Sequence, residues 1–207
     1  MKIVFLILFL IPVIGFSQSF EGQITYINSY KSKSPQLKDE QFNAIMGTNQ
    51  EYYIKGGNYK STFNGAYFKM QLYKAAENKS YTLTAKSDSL YWEDYSKNID
   101  PATSFEVEKD KETVLGIMCD VFTVITAKSR TSYFYNKKYG LNTQLFAKHH
   151  YGNWYYMISK TKSLPLKTVY ENDQFTLTST AVKITAMPLS DSTFILADER
   201  RVAPATW

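Results

Sequence analysis

Polar and apolar residues alternate along most of the chain from residue 20 onward. In the stretch 20–31, one face carries Phe20, Gly22, Ile24, Tyr26 and Tyr30. The positions between them are mainly polar. Alternation with a period of two is typical of a β-strand that buries one face. The sequence therefore predicts a first strand over Phe20–Lys31, with the aromatic face toward the core.

A short helix is predicted after this strand. Ser34 is suited to the N-cap position, and Pro35 is suited to the first helical residue. Gly47 stands where a glycine commonly ends a helix. The sequence therefore predicts a helix over Gln36–Met46.

Turn signals then recur at short intervals. Gly56-Gly57 and Asn64-Gly65 are flanked by aromatic and β-branched residues, and such pairs are strong hairpin signals. Residues 50–95 therefore predict an antiparallel meander of about five strands. We expect a tight turn at Asn64-Gly65 with positive φ at both residues.

The same rhythm continues to residue 185. Further strands are predicted at 104–108, 120–128, 131–136, 153–160, 164–171 and 175–185, a helical turn within 141–150, and an aperiodic tail over 197–207. About nine or ten antiparallel strands with one short helix can close into a barrel, pair into a sandwich or curl around the helix.

The first 17 residues have the pattern of a secretory signal peptide. Lys2 precedes an uncharged apolar run, and Gly15 and Ser17 are small residues at positions −3 and −1 of a cut before Gln18. We expect a signal peptide at 1–17, one domain at 18–196 and a tail at 197–207. The mature chain would then be soluble in the periplasm or outside the cell; the alternative is an uncleaved anchor.

Composition excludes several classes of protein. Hydrophobic residues make up 44% of the 207, with 9 Gly and 6 Pro, which excludes collagen-like and disordered chains. A single cysteine, Cys119, excludes an intrachain disulfide and a cysteine-cluster metal site. We expect Cys119 to be a small buried side chain, the alternative being a reactive thiol.

Candidate catalytic and metal-binding chemistry is sparse. His149 and His150 are adjacent, and neighbouring strand residues point to opposite faces, so they would not chelate one ion. The carboxylates at Glu108, Asp110 and Glu112 alternate with lysines, which indicates a solvated turn. No catalytic motif is present. We therefore expect no cofactor, no metal and no enzymatic activity, with a hydrolase as a remote alternative.

Charge is distributed unevenly along the chain. Val121–Tyr170 contains eight Lys or Arg and no acidic residue, and many aromatic residues lie between the basic ones. This mixture suits an anionic partner with an apolar part, such as a lipid. The alternative is a solvated face of edge strands protected by lysine. Nucleic acid is not an expected partner, since the chain has only three Arg.

Eight residues of this stretch form the candidate ligand site. We expect anionic headgroups to meet Lys137, Lys138, Lys160 and Lys162, and apolar chains to meet Tyr133, Tyr135, Trp154 and Tyr156.

The order of several segments resembles a known group of proteins. These segments are Phe20–Tyr26, Tyr53–Tyr59, Glu112–Cys119, Ser163–Lys167 and Thr180–Ile184. Together they resemble a periplasmic family akin to the LolA-like outer-membrane lipoprotein-carrier superfamily. The resemblance implies a mainly β (α+β) fold, namely a strongly curved antiparallel sheet or half-barrel of about 9–11 strands with one or two short helices.

Two functions follow from the resemblance and the charge pattern. The first is a non-enzymatic exported module that holds a lipid, an acyl chain of a lipoprotein or another apolar ligand in the curved sheet. The second is an envelope protein–protein interaction module with a filled core. Both allow at most peripheral membrane contact.

Overall fold

The computed structural model of the protein describes residues 19–196 and 201–206. The predicted signal peptide and most of the junction between the domain and the tail lie outside the described residues. The described part contains one twelve-stranded sheet and two short α-helices.

The strands are β1 (Gly22–Ser32), β2 (Asn49–Lys55), β3 (Asn58–Phe63), β4 (Phe68–Lys74), β5 (Lys79–Thr84), β6 (Leu90–Asp94), β7 (Ser104–Val114), β8 (Ile117–Ile125), β9 (Ser129–Gly140), β10 (Ser163–Asn172), β11 (Phe175–Ala186) and β12 (Val202–Pro204). The helices are α1 (Asp39–Met46) and α2 (Trp154–Thr161). Single 3-10 turns occur at Thr143–Phe146, Tyr151–Asn153 and Asp191–Phe194.

The sheet is curved and open, and the predicted fold class is confirmed. Its strand order is β12-β6-β5-β4-β3-β2-β1-β11-β10-β9-β8-β7. Two antiparallel meanders, β1–β6 and β7–β11, are joined where β1 pairs with β11. The predicted aperiodic tail is wrong in part, because Val202–Pro204 forms β12 and pairs in parallel with β6.

One face of the sheet, here called the inner face, carries most of the core. The predicted buried side of β1 is confirmed, since Gly22, Ile24, Tyr26 and Tyr30 are all buried. From there a row of tyrosine rings crosses four strands, with centroid distances of 6.1 Å for Tyr26–Tyr52, 5.6 Å for Tyr52–Tyr59 and 4.9 Å for Tyr59–Tyr73. Aromatic contacts of this kind stabilise neighbouring strands.

The segment 141–162, here called the plug, leaves and re-enters the sheet at one end. We call this the lower end; β1 begins there at Gly22 and finishes at the upper end. The predicted strand at 153–160 is wrong, because the plug contains α2. Trp154, Met157, Ile158 and Thr161 have the spacing of one helical face and pack inward. The plug therefore fills the lower half of the inner face.

A second segment, residues 95–103, runs across the open side of the sheet and is here called the strap. It begins at the lower end, where β6 finishes, and reaches the upper end, where β7 begins. On the way it crosses from the side of the sheet that contains β6 to the opposite edge, which is β7. Asn153 of the plug holds it in place. Its Oδ1 accepts from the amide of Asn98 (2.7 Å) and the backbone N–H of Ala102 (2.9 Å), and its Nδ2 donates to the Asp100 carbonyl (3.0 Å).

The predicted helix is present but begins later than expected. Its N-cap is Lys38, and Gln41 accepts a hydrogen bond from the backbone of Lys38 at 3.0 Å. Ser34 instead accepts from the backbone of Gln36 in a turn before the helix. The predicted end at Gly47 is confirmed by its φ of 93° and its bond to Asn43. Positive φ at this position favours glycine.

The turn predicted at Asn64-Gly65 is wrong in its geometry, since neither residue has positive φ. Gly65 is required for a different reason, because a Cβ there would lie 2.5 Å from the carbonyl oxygen of Ile45. Gly56-Gly57 does form a two-residue hairpin turn, with φ of 55° and 87°. The meander of five strands, β2–β6, is confirmed.

The charged run predicted as a solvated turn lies on a strand. Glu106 through Glu112 belong to β7, an edge strand that is exposed over nearly its whole length. Arg130 pairs with Glu106, and Lys111 pairs with Glu108. An irregularity between Glu108 and Glu112 interrupts the pairing with β8. Charges and bulges are common ways of protecting a sheet edge.

Candidate functional site

The four predicted lysines lie together at the lower end of the sheet. Lys137 and Lys138 are near the end of β9, Lys160 is in the last turn of α2, and Lys162 follows that helix. A cavity of about 470 Å³ is lined by Lys137, Lys160 and Lys162. A second cavity of about 450 Å³ is lined by Lys137 and Lys138. We call these four residues the lysine cluster.

Carboxylates near the lysine cluster have other partners. Glu21 lines the second cavity, accepts from the backbone N–H of Leu189 at 2.6 Å and lies 3.9 Å from Lys55. Asp120 accepts from Lys109 at 2.6 Å, and this bond, with a smaller contribution from the charge of Lys137, lowers the pKa of Asp120. Within the described part of the chain, no carboxylate lies within ion-pair distance of the four exposed lysines.

None of the four predicted rings lines the two cavities of the lysine cluster. Tyr133 and Tyr135 are buried in β9, and burial raises the pKa of Tyr133 to about 12. Trp154 packs against Tyr59 and Phe146, and Tyr156 packs against Phe105 and Phe122. These rings belong to the packed core around the plug. The expectation that they form one apolar wall beside the lysines is therefore corrected.

His149 lies in an aromatic enclosure. Its ring centroid is 4.6 Å from Tyr73, 4.7 Å from Tyr95 and 6.0 Å from Trp154, and its Nε2 is 2.8 Å from the Tyr59 hydroxyl. Burial lowers its pKa to about 3, so the imidazole is neutral at physiological pH.

The neighbouring His150 is exposed. Among the described residues, no group of three or more His, Cys, Asp or Glu side chains could hold a metal ion.

Cys119 is fully buried and unpaired, as predicted. Its Sγ lies 3.4 Å from the Ile117 carbonyl oxygen, and burial raises the pKa of the thiol. A buried protonated thiol is a poor nucleophile.

A further concavity lies on the upper half of the inner face, above the plug. One cavity there, of about 590 Å³, lies between the strap, the plug and the upper ends of β9 and β10. A second, of about 410 Å³, lies between the end of α1 and the inner face of β4 and β5. Tyr151 lines both, and we call the two cavities together the upper groove.

Sequence reasoning missed most residues of the upper groove. Of the predicted ligand residues only Tyr133 lines it, beside Tyr151 and Tyr170. Its other residues come from α1, five strands and several loops that are far apart in sequence. No local pattern marks them, since only the strand order and the path of the strap bring them together.

The comparisons with known proteins give a fold likeness. No protein-family model matches the sequence, and no curated protein matches it either. The structure of PNGF-II in space group P21 is similar over 90% of this chain and 32% of its own, with 12% identity and a TM-score of 0.50. The structure of PNGF-II in space group C2 is similar over 90% of this chain and 31% of its own, with 10% identity and a TM-score of 0.48. This chain therefore spans about a third of the length of PNGF-II.

LprF from Mycobacterium bovis is a more distant neighbour. It is similar over 82% of this chain and 88% of its own, with 6% identity and a TM-score of 0.35. That score carries no argument about ligand or function, so the LolA-like resemblance stays a prediction. Among the described residues, no helix is both long and apolar enough to cross a membrane.

Proposed function

We propose that the protein is a non-enzymatic, exported binding module that attaches to anionic lipid headgroups through the lysine cluster. One observation carries the proposal: the four lysines, from the end of β9 and the end of the plug, line two adjoining cavities. None of the four forms an ion pair with a carboxylate of the described residues. Four ammonium groups at one end of a molecule favour a surface of negative charge.

The packing of the plug supports attachment through the headgroup rather than through the acyl chains. Met157, Ile158 and Phe146 are fully buried on the lower inner face, where an acyl chain would otherwise lie. The proposal therefore places a headgroup at the lysine cluster and leaves the acyl chains in the membrane. Attraction of about 1 kcal/mol per basic residue near an anionic surface is expected, and salt weakens it.

Vesicle co-sedimentation tests the proposal. We expect binding to vesicles that contain phosphatidylglycerol, weak binding to pure phosphatidylcholine, and loss of binding as salt is raised. Lys137→Glu combined with Lys138→Glu should reduce binding at least tenfold.

The matched control is Lys31→Glu combined with Lys86→Glu, two exposed lysines at the upper end that carry the same change in charge. Equal binding by the two double variants would contradict the proposal.

An envelope protein as partner is the second candidate, and the edge strand β7 favours it. Phe105 and Val107 are each 47% exposed on that strand, and an unpaired edge can accept a strand from another chain. Absence of vesicle binding, together with cross-linking from position 107 to a defined envelope protein that Val107→Lys abolishes, would favour this candidate.

A further inference from the structure

The upper groove is at the opposite end of β9 and β10 from the lysine cluster. Its larger cavity is lined by Ser129 and Asn172, which pair at the upper ends of these strands, whereas Lys137 and Ser163 lie toward the lower ends. A strand rises about 3.3 Å per residue, so the two sites are roughly 25 Å apart. A ligand of the upper groove is therefore a separate question from membrane contact.

Tyr151 provides a rigid aromatic surface in the middle of the groove. Its ring stacks on Tyr95 with a centroid distance of 4.4 Å and an interplanar angle of 4°. Its backbone N–H also donates to the Tyr95 carbonyl at 3.1 Å. The side chain is 37% exposed and lines both cavities. A ring fixed on one side and open on the other loses little entropy when a ligand packs on it.

Hydroxyl groups line the groove on either side of this ring. Thr82 and Thr84 are 3% and 5% exposed, and within the described chain neither hydroxyl has a hydrogen-bond partner. On the other side are the phenols of Tyr133 and Tyr170. Nearly buried hydroxyls that lack a protein partner are costly to cover with an apolar group, and a ligand with its own hydroxyls would satisfy them.

The charges of the groove argue against an anionic ligand. The lining of the larger cavity includes Asp100 and Asp173 but only one basic residue, Lys128. Asp100 is also occupied, since its carboxylate accepts from Thr126 and Ser129. The excess of negative charge repels phosphate and carboxylate groups.

We propose that the upper groove binds a neutral oligosaccharide. A sugar ring presents a C–H face that packs on an aromatic ring, while its hydroxyls point outward to hydrogen-bonding side chains. Tyr151 is placed to take the C–H face, and Thr82 and Thr84 are placed to meet hydroxyls. Cavities of about 590 and 410 Å³ fall within the usual range for small-molecule sites, about 300–1,000 Å³.

Titration calorimetry with cellohexaose, maltohexaose and chitohexaose tests the inference. We expect at least one of these probes to bind with a Kd of about 1 mM or tighter. Tyr151→Ala should weaken that binding at least tenfold, while Tyr151→Phe, which keeps the stacking surface, should retain most of it.

A second variant avoids any dependence on the folding of Tyr151→Ala. Thr82→Val combined with Thr84→Val keeps the shape of both side chains and removes the hydroxyls, and it should weaken binding at least fivefold. Thr62→Val, on the outer face of β3, is the matched control and should bind like the wild type.

Two results would overturn the inference: no heat of binding with any probe at millimolar concentration, or binding that the threonine double variant leaves unchanged. Vesicle binding should be the same for Tyr151→Ala and the wild type. Failure of this inference is therefore distinguishable from failure of the proposed membrane attachment.

Discussion

The buried imidazole of His149 should make the protein lose stability as the pH falls below neutrality. The side chain is 2% exposed, and burial lowers its pKa to about 3 in the folded protein. In the unfolded chain the pKa returns to about 6.5. Between these two values the unfolded chain binds a proton that the folded protein does not. The stabilisation is therefore complete above about pH 6.5 and is lost as the pH falls toward 3.

The size of the effect follows from the two pKa values. Linkage predicts a loss of about 2 kcal/mol between pH 7.5 and pH 5, and about 3 kcal/mol by pH 4. Carboxylates with lowered pKa values, such as Asp120 and Glu77, also contribute, but only below about pH 5. The interval from pH 7.5 to pH 5 therefore isolates the histidine.

Urea unfolding at several pH values measures this loss. His149→Gln places an amide near the position of Nε2, so it can keep a hydrogen bond to Tyr59 while removing the titration. We expect its free energy of unfolding to change by less than about 0.5 kcal/mol between pH 7.5 and pH 5. His150→Gln, a change at the exposed neighbour, should behave like the wild type.

An unchanged pH dependence in His149→Gln would refute this reasoning. So would an NMR titration in which the His149 ring protons shift with a midpoint near pH 6 in the folded protein. Either result would mean that water reaches the ring inside its aromatic enclosure.

Three further outcomes are expected. Gly65→Ala should lower the free energy of unfolding by about 3 kcal/mol, because its Cβ would contact the backbone of α1. Gly116→Ala, measured beside it by thermal unfolding, should lower it by about 1 kcal/mol, because only its φ of 73° is strained. Cys119 should react with a thiol reagent only after denaturation, and Cys119→Ser should cost about 1–3 kcal/mol; fast labelling of native protein would contradict its burial. Asn153→Gly keeps the left-handed backbone (φ 60°) but removes three hydrogen bonds to the strap. It should lower the free energy of unfolding by about 2–3 kcal/mol and speed hydrogen exchange in the strap. The control Lys162→Gly, also at a left-handed residue (φ 53°), should cause no loss of stability.

The sequence predicted the sheet well because alternation is a local signal. The aromatic face of β1 and the hairpin at Gly56-Gly57 follow from neighbouring residues, and the structure has both. Within the plug, the helical turn predicted in 141–150 is present at Thr143–Phe146, but the strand predicted at 153–160 is wrong. That segment is rich in aromatic residues, which favour strands. The helical spacing of Trp154, Met157, Ile158 and Thr161 was the better signal.

Of the two sites, only the lysine cluster could be predicted from the sequence, because only its residues are marked by a local signal. The lysine cluster could be proposed because all four residues lie in one acid-free stretch, and the structure brings them together. The upper groove could not be proposed, since Thr82 and Tyr151 meet only after the plug folds back over the sheet. Periodicity along a strand gives the face of a residue and says nothing about which distant segment will lie above it.

The junction between β1 and β11 has a consequence for how the chain folds. Its partners, from Gly22 with Ala186 to Ser32 with Phe175, are more than 140 residues apart in sequence. The first meander can form early from local hairpins, yet one edge of β1 stays unpaired until β11 has been synthesised. Pairing over such a distance is slow, because the loop must close before its contacts form. We therefore expect the joining of the two meanders, rather than the formation of either, to limit the folding rate, and the unpaired edge of β1 to be the place where an unfinished chain aggregates.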